Sequence, residues 1–224
     1  MFDYLINAAP EEDPEQSIPL PTADEEKEMN TFEVPETLPI LALRNTVLFP
    51  GVVLPITVGR DASLKLVKDA FGGDRLIGVI AQRSSEVEDP GPEDLYTVGT
   101  VATILKLIKM PDGSKSIVIQ GKRRFETLEY VQREPYFKAA VKTVDEERSD
   151  NLVELQARIR SIKDLAIQIV NMSPNLPSEA AYAIQNIESP TFLIHFIASN
   201  LQISVEDKQR LLETIPLVQR ADLV

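Results

Sequence analysis

The hydrophobic period of this chain changes near Asp145, and that change limits the folds open to it. From Leu38 to Val144, runs rich in Val, Ile, Leu and Thr alternate with turn residues, the pattern of β-strands. Strands are expected near 38–43, 52–58, 75–82, 98–109, 115–121, 123–131 and 136–144. Phe137, Ala139 and Val141 alternate with Lys138, Ala140 and Lys142, as in a strand with one wet face. Beyond Asp145, Leu152, Leu155, Ile159, Ile162, Ala166 and Ile169 recur every three or four residues along one helical face. A sheet followed by helices is an α+β fold. The expected division is an acidic, proline-rich disordered tail over 1–37, a β-rich lobe with one helix over 38–146, and an all-α bundle over 147–224.

Local signals refine this outline. Pro111-Asp112-Gly113-Ser114 lies between two apolar runs and reads as a hairpin turn, because Gly accepts the positive φ that the reversal demands. Ala62, Leu64, Leu66, Val67 and Phe71 fit a helix that Asp61 caps and Gly72-Gly73 ends. Pro50-Gly51 breaks the chain between two strands, and Pro55 suits an edge or a bulge. In the second half, Asp150 is placed to cap the long helix and a break falls at Ser173–Pro177. Helices open at Ser178 and at Ser189-Pro190, and Ser204 with Asp207 forms a capping box. A last helix starts near Thr214-Pro216 and reaches Val224 after barely two turns, a pattern that reads as truncation.

Charge is distributed unevenly. The net charge is -12, but residues 1–37 hold 11 Asp/Glu against one Lys, so the other 187 residues carry only about -2. A nearly neutral folded part offers no field for gripping a phosphate backbone, and nucleic acid is a poor partner. The tail repels itself and buries too little to order, so residues 1 to about 33 are expected to be mobile and dispensable. No run approaches the roughly 18 apolar residues of a membrane span, and the first residues do not resemble a secretory signal. With no cysteine, disulfides and thiolate chemistry are impossible, and a reducing cytoplasmic location is natural.

The usual catalytic patterns are missing from the sequence. No glycine pair has phosphate-loop spacing ahead of a lysine. The one histidine, His195, sits between Ile194 and Phe196 and reads as a core or boundary residue rather than a metal ligand. Ser114 and Lys115 are adjacent on a strand pattern, so their side chains point apart and do not form a serine–lysine dyad. Glu146-Glu147 reads as solvated linker, and Lys122-Arg123-Arg124 as a wet strand edge protected by charge.

Three ordered motifs add a family resemblance. Leu38–Arg60, reading LPILALRNTVLFPGVVLPITVGR, resembles the opening of the Lon protease N-terminal domain. Leu95–Ala102 running on through Met110-Pro111-Asp112-Gly113 does so too, as does Leu193–Ala198 followed by Asp207–Glu213. The resemblance covers about residues 36–224; the acidic tail is longer than the family's minimal start, and Ala42 stands where proline is common. It implies a PUA-like pseudo-barrel and a helical lobe, followed in the whole enzyme by an AAA+ ATPase module and a serine–lysine protease module. ATP and magnesium would serve those later modules, and this chain would take no cofactor or metal and would not itself be an enzyme.

The implied partners are unfolded or damaged polypeptides and, in the hexameric enzyme, other Lon subunits; neither nucleic acid nor membrane is expected. Leu48, Phe49, Val52 and Met110, large apolar residues beside turns, are the expected substrate contacts, with a place in the core as the other reading of Leu48, Phe49 and Val52. A standalone LON-domain protein shares the β-lobe, but Val58-Gly59-Arg60 and the Lys208-Gln209 helix are closer to the protease. A PUA-like fold also suits RNA binding, which the near-neutral folded part disfavours.

Overall fold

The computed structural model describes residues 29, 31–109, 115–146, 152–173 and 178–224. Its strands are β1 (Thr37–Leu43), β2 (Val53–Val58), β3 (Leu76–Ala81), β4 (Val98–Lys109), β5 (Lys115–Gln132) and β6 (Lys138–Thr143). Helix α1 (Asp61–Phe71) interrupts them, and α2 (Leu152–Met172), α3 (Ser178–Asn186), α4 (Pro190–Asn200), α5 (Val205–Glu213) and α6 (Leu217–Leu223) follow. The fold is α+β, as the change of period predicts.

The sheet closes on itself. Its order is β2-β5-β4-β3-β1-β6, and β6 also pairs with β5, so five strands form a ring with β2 attached to the first half of β5. Among the described residues only the β1–β3 pair is parallel; the other pairings are antiparallel. A parallel pair needs a crossover, and the β2–α1 segment supplies it. Pro55 is tolerated because β2 pairs only with β5.

Alternation splits the wall into two apolar clusters. Leu41 and Leu43 join Ile77, Val79, Ile104 and Ile119 with Leu66, Val67 and Ala70 of α1. Leu38 and Ile40 join Ile80, Val101, Phe125 and Ala139 on the opposite face. Several strands are therefore buried on both sides, which is why β3 reads LIGVIA without a polar break.

Four expectations are corrected. Residues 115–121 and 123–131 are one strand: Gly121 pairs with Ala102, and the register shift between Thr100 and Ala102 takes up the irregularity at 122–123 without ending the strand. Asp61 is the first residue of α1 rather than its cap; Arg60 takes the cap position and makes no side-chain cap bond. The last part of the acidic segment is docked: Met29 is buried, Phe32 and Val34 pack on the second cluster, and Arg123 Nη1 donates to the Phe32 carbonyl at 3.1 Å. On α2, Leu152 and Ile169 are exposed, and the packed face runs through Leu155, Ile159, Ile162, Ala166 and Val170. Most of the tail, the 111–114 turn, the Asp150 cap and the 174–177 break lie outside the described residues.

The Leu48–Val52 segment is pinned into the wall. Gly121 N–H donates to the Val52 carbonyl at 2.9 Å, Gly51 N–H to the Gly121 carbonyl at 3.0 Å, and Thr100 Oγ1 to the Leu48 carbonyl at 2.6 Å. A Cβ on Gly121 would lie 2.3 Å from the Phe49 carbonyl oxygen, a backbone atom with no room to yield. Gly121→Ala is expected to destabilise the chain by about 2–3 kcal/mol, the upper range for overpacking, measured by urea denaturation. An unchanged midpoint would contradict this packing.

Candidate functional site

Where the barrel meets the helices, an apolar seam surrounds a polar cluster. Val47, Phe49 and Ala81 of the barrel pack with Ala198, Leu211 and Leu212 of α4 and α5. Ser189 caps α4 by accepting from Phe192 N–H at 3.2 Å, and Ser204 caps α5 by accepting from Asp207 N–H at 3.0 Å. These caps fix the helix starts that the sequence marks.

At the seam, Arg124 of β5 and Arg220 of α6 are fully buried. Arg124 Nη1 donates to the Leu212 carbonyl at 2.8 Å, and Nη2 pairs with Glu146 Oε1 at 2.9 Å. Arg220 Nη2 reaches Glu146 Oε2 at 3.1 Å and the Thr214 carbonyl at 2.7 Å, while its Nη1 lies 2.9 Å from His195 Nε2. Glu146 thus clasps two guanidiniums, one from each part of the fold. Arginine only donates, so His195 Nε2 accepts; the ring proton is then assigned to Nδ1, which donates to Pro50, whose backbone offers only a carbonyl.

The electrostatics follow from this arrangement. Burial, with a smaller contribution from Arg220, pushes Arg124 down to about 10 against the pull of Glu146. Burial first, then Arg220 and Arg124, holds His195 well below its ordinary value, and the Pro50 carbonyl only partly opposes them. His195 is therefore a neutral core residue, as its sequence neighbours suggest. The readings of Arg124 as a strand-edge charge and of Glu146 as linker are corrected: the closed ring leaves no edge at Arg124, and Glu146 is its counterion.

The expected contact residues do not form one exposed site. Leu48 is 2% exposed and Phe49 0%, so both belong to the core; the Pro50-Gly51 turn that suggests exposure in the sequence is tucked inward. Gly51 sits at φ +79°, and a Cβ there would meet the Phe192 ring at 2.6 Å. Val52 is half-buried between the clusters at the seam. Met110 and Ser114 lie outside the described residues.

An exposed apolar stripe instead lies on α2, where Leu165, Ile169 at 57% and Met172 at 83% exposure are spaced four and three residues apart, with Tyr182 of α3 also exposed. Among the described residues no group of three His, Cys, Asp or Glu is placed to hold a metal ion, and no helix is long and apolar enough to cross a membrane.

The state of His195 has a measurable consequence. Its folded-state value lies below the unfolded value of about 6.5, so below that pH the unfolded chain takes up a proton that the folded chain refuses. Stability is then lost at up to about 1.4 kcal/mol per pH unit as pH falls. His195→Gln keeps an acceptor for Arg220 but does not titrate. The stability gap between the parent chain and this variant, from denaturation at pH 7.5 and 5.5, is expected to change by about 1.4 kcal/mol in the variant's favour at the lower pH. A gap independent of pH would contradict the buried neutral ring.

Comparison with known proteins places this architecture. Residues 37–224 match the family model described as the ATP-dependent protease La (LON) substrate-binding domain. The chain is 55% identical over 205 residues to a Lon protease of Flavobacterium johnsoniae, covering 91% of this chain and 25% of the relative. It is 49% identical over 210 residues to a Lon protease of Cytophaga hutchinsonii, covering 93% and 26%. The chain thus spans about a quarter of the length of the curated relatives it matches, and a standalone LON-domain protein is not the favoured reading. The N-terminal domain of a Mycobacterium avium complex Lon protease has the same fold, with a TM-score of 0.68 at 19% identity, covering 84% of this chain and 95% of that one. A Lon N-terminal domain protein from Xanthomonas campestris gives a TM-score of 0.59 at 18% identity, covering 83% and 95%. The chain belongs to the LON substrate-binding domain family.

Proposed function

We propose that this chain captures unfolded or damaged polypeptides for a Lon-type ATP-dependent protease and passes them to AAA+ ATPase and serine–lysine protease modules. The observation that carries the reading is the match of residues 37–224, the whole barrel-and-helix unit, to a substrate-binding domain. Damaged chains share exposed apolar segments rather than one sequence, and exposed apolar side chains such as Leu165, Ile169 and Met172 suit a weak, promiscuous receptor.

In the whole enzyme six copies on a ring would raise the effective concentration, with avidity of about 10²–10⁴ over a single site. Such an enzyme would work in the cytoplasm, with ATP and magnesium used by its ATPase module and no cofactor held by this chain. Val52 and Met110 stay in the proposal as contacts; Leu48 and Phe49 do not.

One or two leucine-sized contacts supply about 1.5–3 kcal/mol each before entropic losses, so single-site affinity is expected at roughly millimolar to high micromolar. A fluorescently labelled, reduced and carboxymethylated protein should raise the anisotropy of the mixture at high chain concentration, and the same protein in its native state should not. Equal response to both forms, or to neither, would refute the reading.

A further inference from the structure

The ring of strands is closed unevenly. β1 pairs with β6 only over Thr37–Pro39, and with β3 over Ile40–Leu43. The last bond to the β6 side is Ile40 N–H to the Phe137 carbonyl at 2.8 Å, and the reciprocal bond from Phe137 N–H to the Ile40 carbonyl is not made. Backbone groups alternate along a strand. Leu43 faces β3, since its carbonyl accepts from Gln82 N–H at 2.7 Å, so Ala42 directs both its N–H and its carbonyl away from β3. Among the described residues no partner meets the Ile40 carbonyl or either backbone group of Ala42.

Ile40, buried, and Ala42, half-buried, line a cleft of about 490 Å³ between β1, the start of α1 and the segment leading into β6. That is within the range of about 300–1,000 Å³ for ligand-holding clefts. Ile40, Ala42, Leu66, Tyr136 and Phe137 give it an apolar lining. Its ionic side chains balance, with Arg60 and Arg133 against Asp61 and Asp89. A cleft with no net charge complements an uncharged segment and gains nothing from the acidic residues 1–37. At its rim a Cβ on Gly59 would meet nothing within 4 Å.

We propose that this cleft binds an extended, uncharged stretch of unfolded polypeptide as an added strand along Ile40–Ala42. A guest backbone accepts from Ala42 N–H and donates to the Ile40 and Ala42 carbonyls, while Tyr136 and Phe137 take alternate apolar side chains. Main-chain pairing supplies affinity that does not depend on sequence, and shallow apolar walls add little discrimination. A folded protein offers no free strand of this kind, so the native form of a substrate is refused. The proposal rests on the polypeptide-binding function above and locates its contact.

The test uses the whole 224-residue chain with a reduced, carboxymethylated protein as probe. Gly59→Trp fills the cleft from a position with open space around it and is expected to weaken probe binding at least about tenfold. Ala42→Pro removes one unpaired donor at an open edge, where proline is tolerated, and is expected to weaken it about two- to tenfold. In the unmodified chain, Ala42 amide hydrogen exchange should be fast compared with Leu41 and Leu43 and should slow when the probe is added. If the probe binds the parent and both variants alike and Ala42 exchange does not slow, the cleft is not the site although the polypeptide-binding function stands. If the probe binds none of them, both fail. Slowing at Ala42 in the unmodified chain decides the matter even if a variant does not fold.

Discussion

Two buried guanidiniums share one carboxylate at the centre of this molecule, and the arrangement of the barrel and helices depends on that pairing. Arg124 belongs to the strand that pairs with β2, β4 and β6, Arg220 to the last helix, and Glu146 to the segment just after the sheet. Removing a charge from water costs several kcal/mol, and only a counterion with further hydrogen bonds offsets it. Arg220 meets that condition by donating to the Thr214 carbonyl in the turn beyond α5; Arg124 meets it in part by donating to the Leu212 carbonyl at the end of α5, its buried Nε having no partner among the described residues. If the helices moved away, both guanidiniums would lose acceptors at once. The polar cluster therefore sets position, while the apolar seam of Phe49, Ala198, Leu211 and Leu212 supplies the driving force.

This coupling bears on function because a receptor for unfolded chains must not unfold alongside them. The proposed strand edge at Ile40–Ala42 lies on β1, whose other neighbours are fixed by pairing with β3 and by the packing of α1. Its open groups are held ready by the surrounding structure, so binding does not pay to order them. The exposed stripe on α2 is different in kind: an apolar surface on a helix whose opposite face is packed.

Much of the fold was legible because it rests on period and punctuation. The switch at Asp145, the LIGVIA run of β3, Pro190 after its Ser189 cap and the Ser204–Asp207 pair all act locally, and each element appears where its signal lies. The contacts of the site were less legible because they are long-range. Phe49 beside Pro50-Gly51 has the signature of an exposed turn, and long-range contacts turn it inward: the bonds that Gly121 and Thr100 make to this segment and the packing of Phe192 against Gly51. Arg124 sits between Arg123 and Phe125 with nothing local to separate a buried cation from a surface one; its partners lie 22 and 88 residues away, at Glu146 and Leu212. α2 misled in another way, since it carries apolar residues on more of its circumference than its neighbours cover, and period alone does not say which stripe is packed.

Strands and helices form one cooperative body held at the Glu146 clasp. Native-state hydrogen exchange in increasing urea tests it most directly, by comparing the ladder amides of β5 around Arg124 with those of α4 from Leu193 to Ile197. Both sets are expected to open with the same free energy and the same dependence on urea, because losing the clasp exposes both. If the α4 amides open at a clearly lower free energy, with a shallower urea dependence and β5 still protected, the helices are a separate unit and the clasp does not join them.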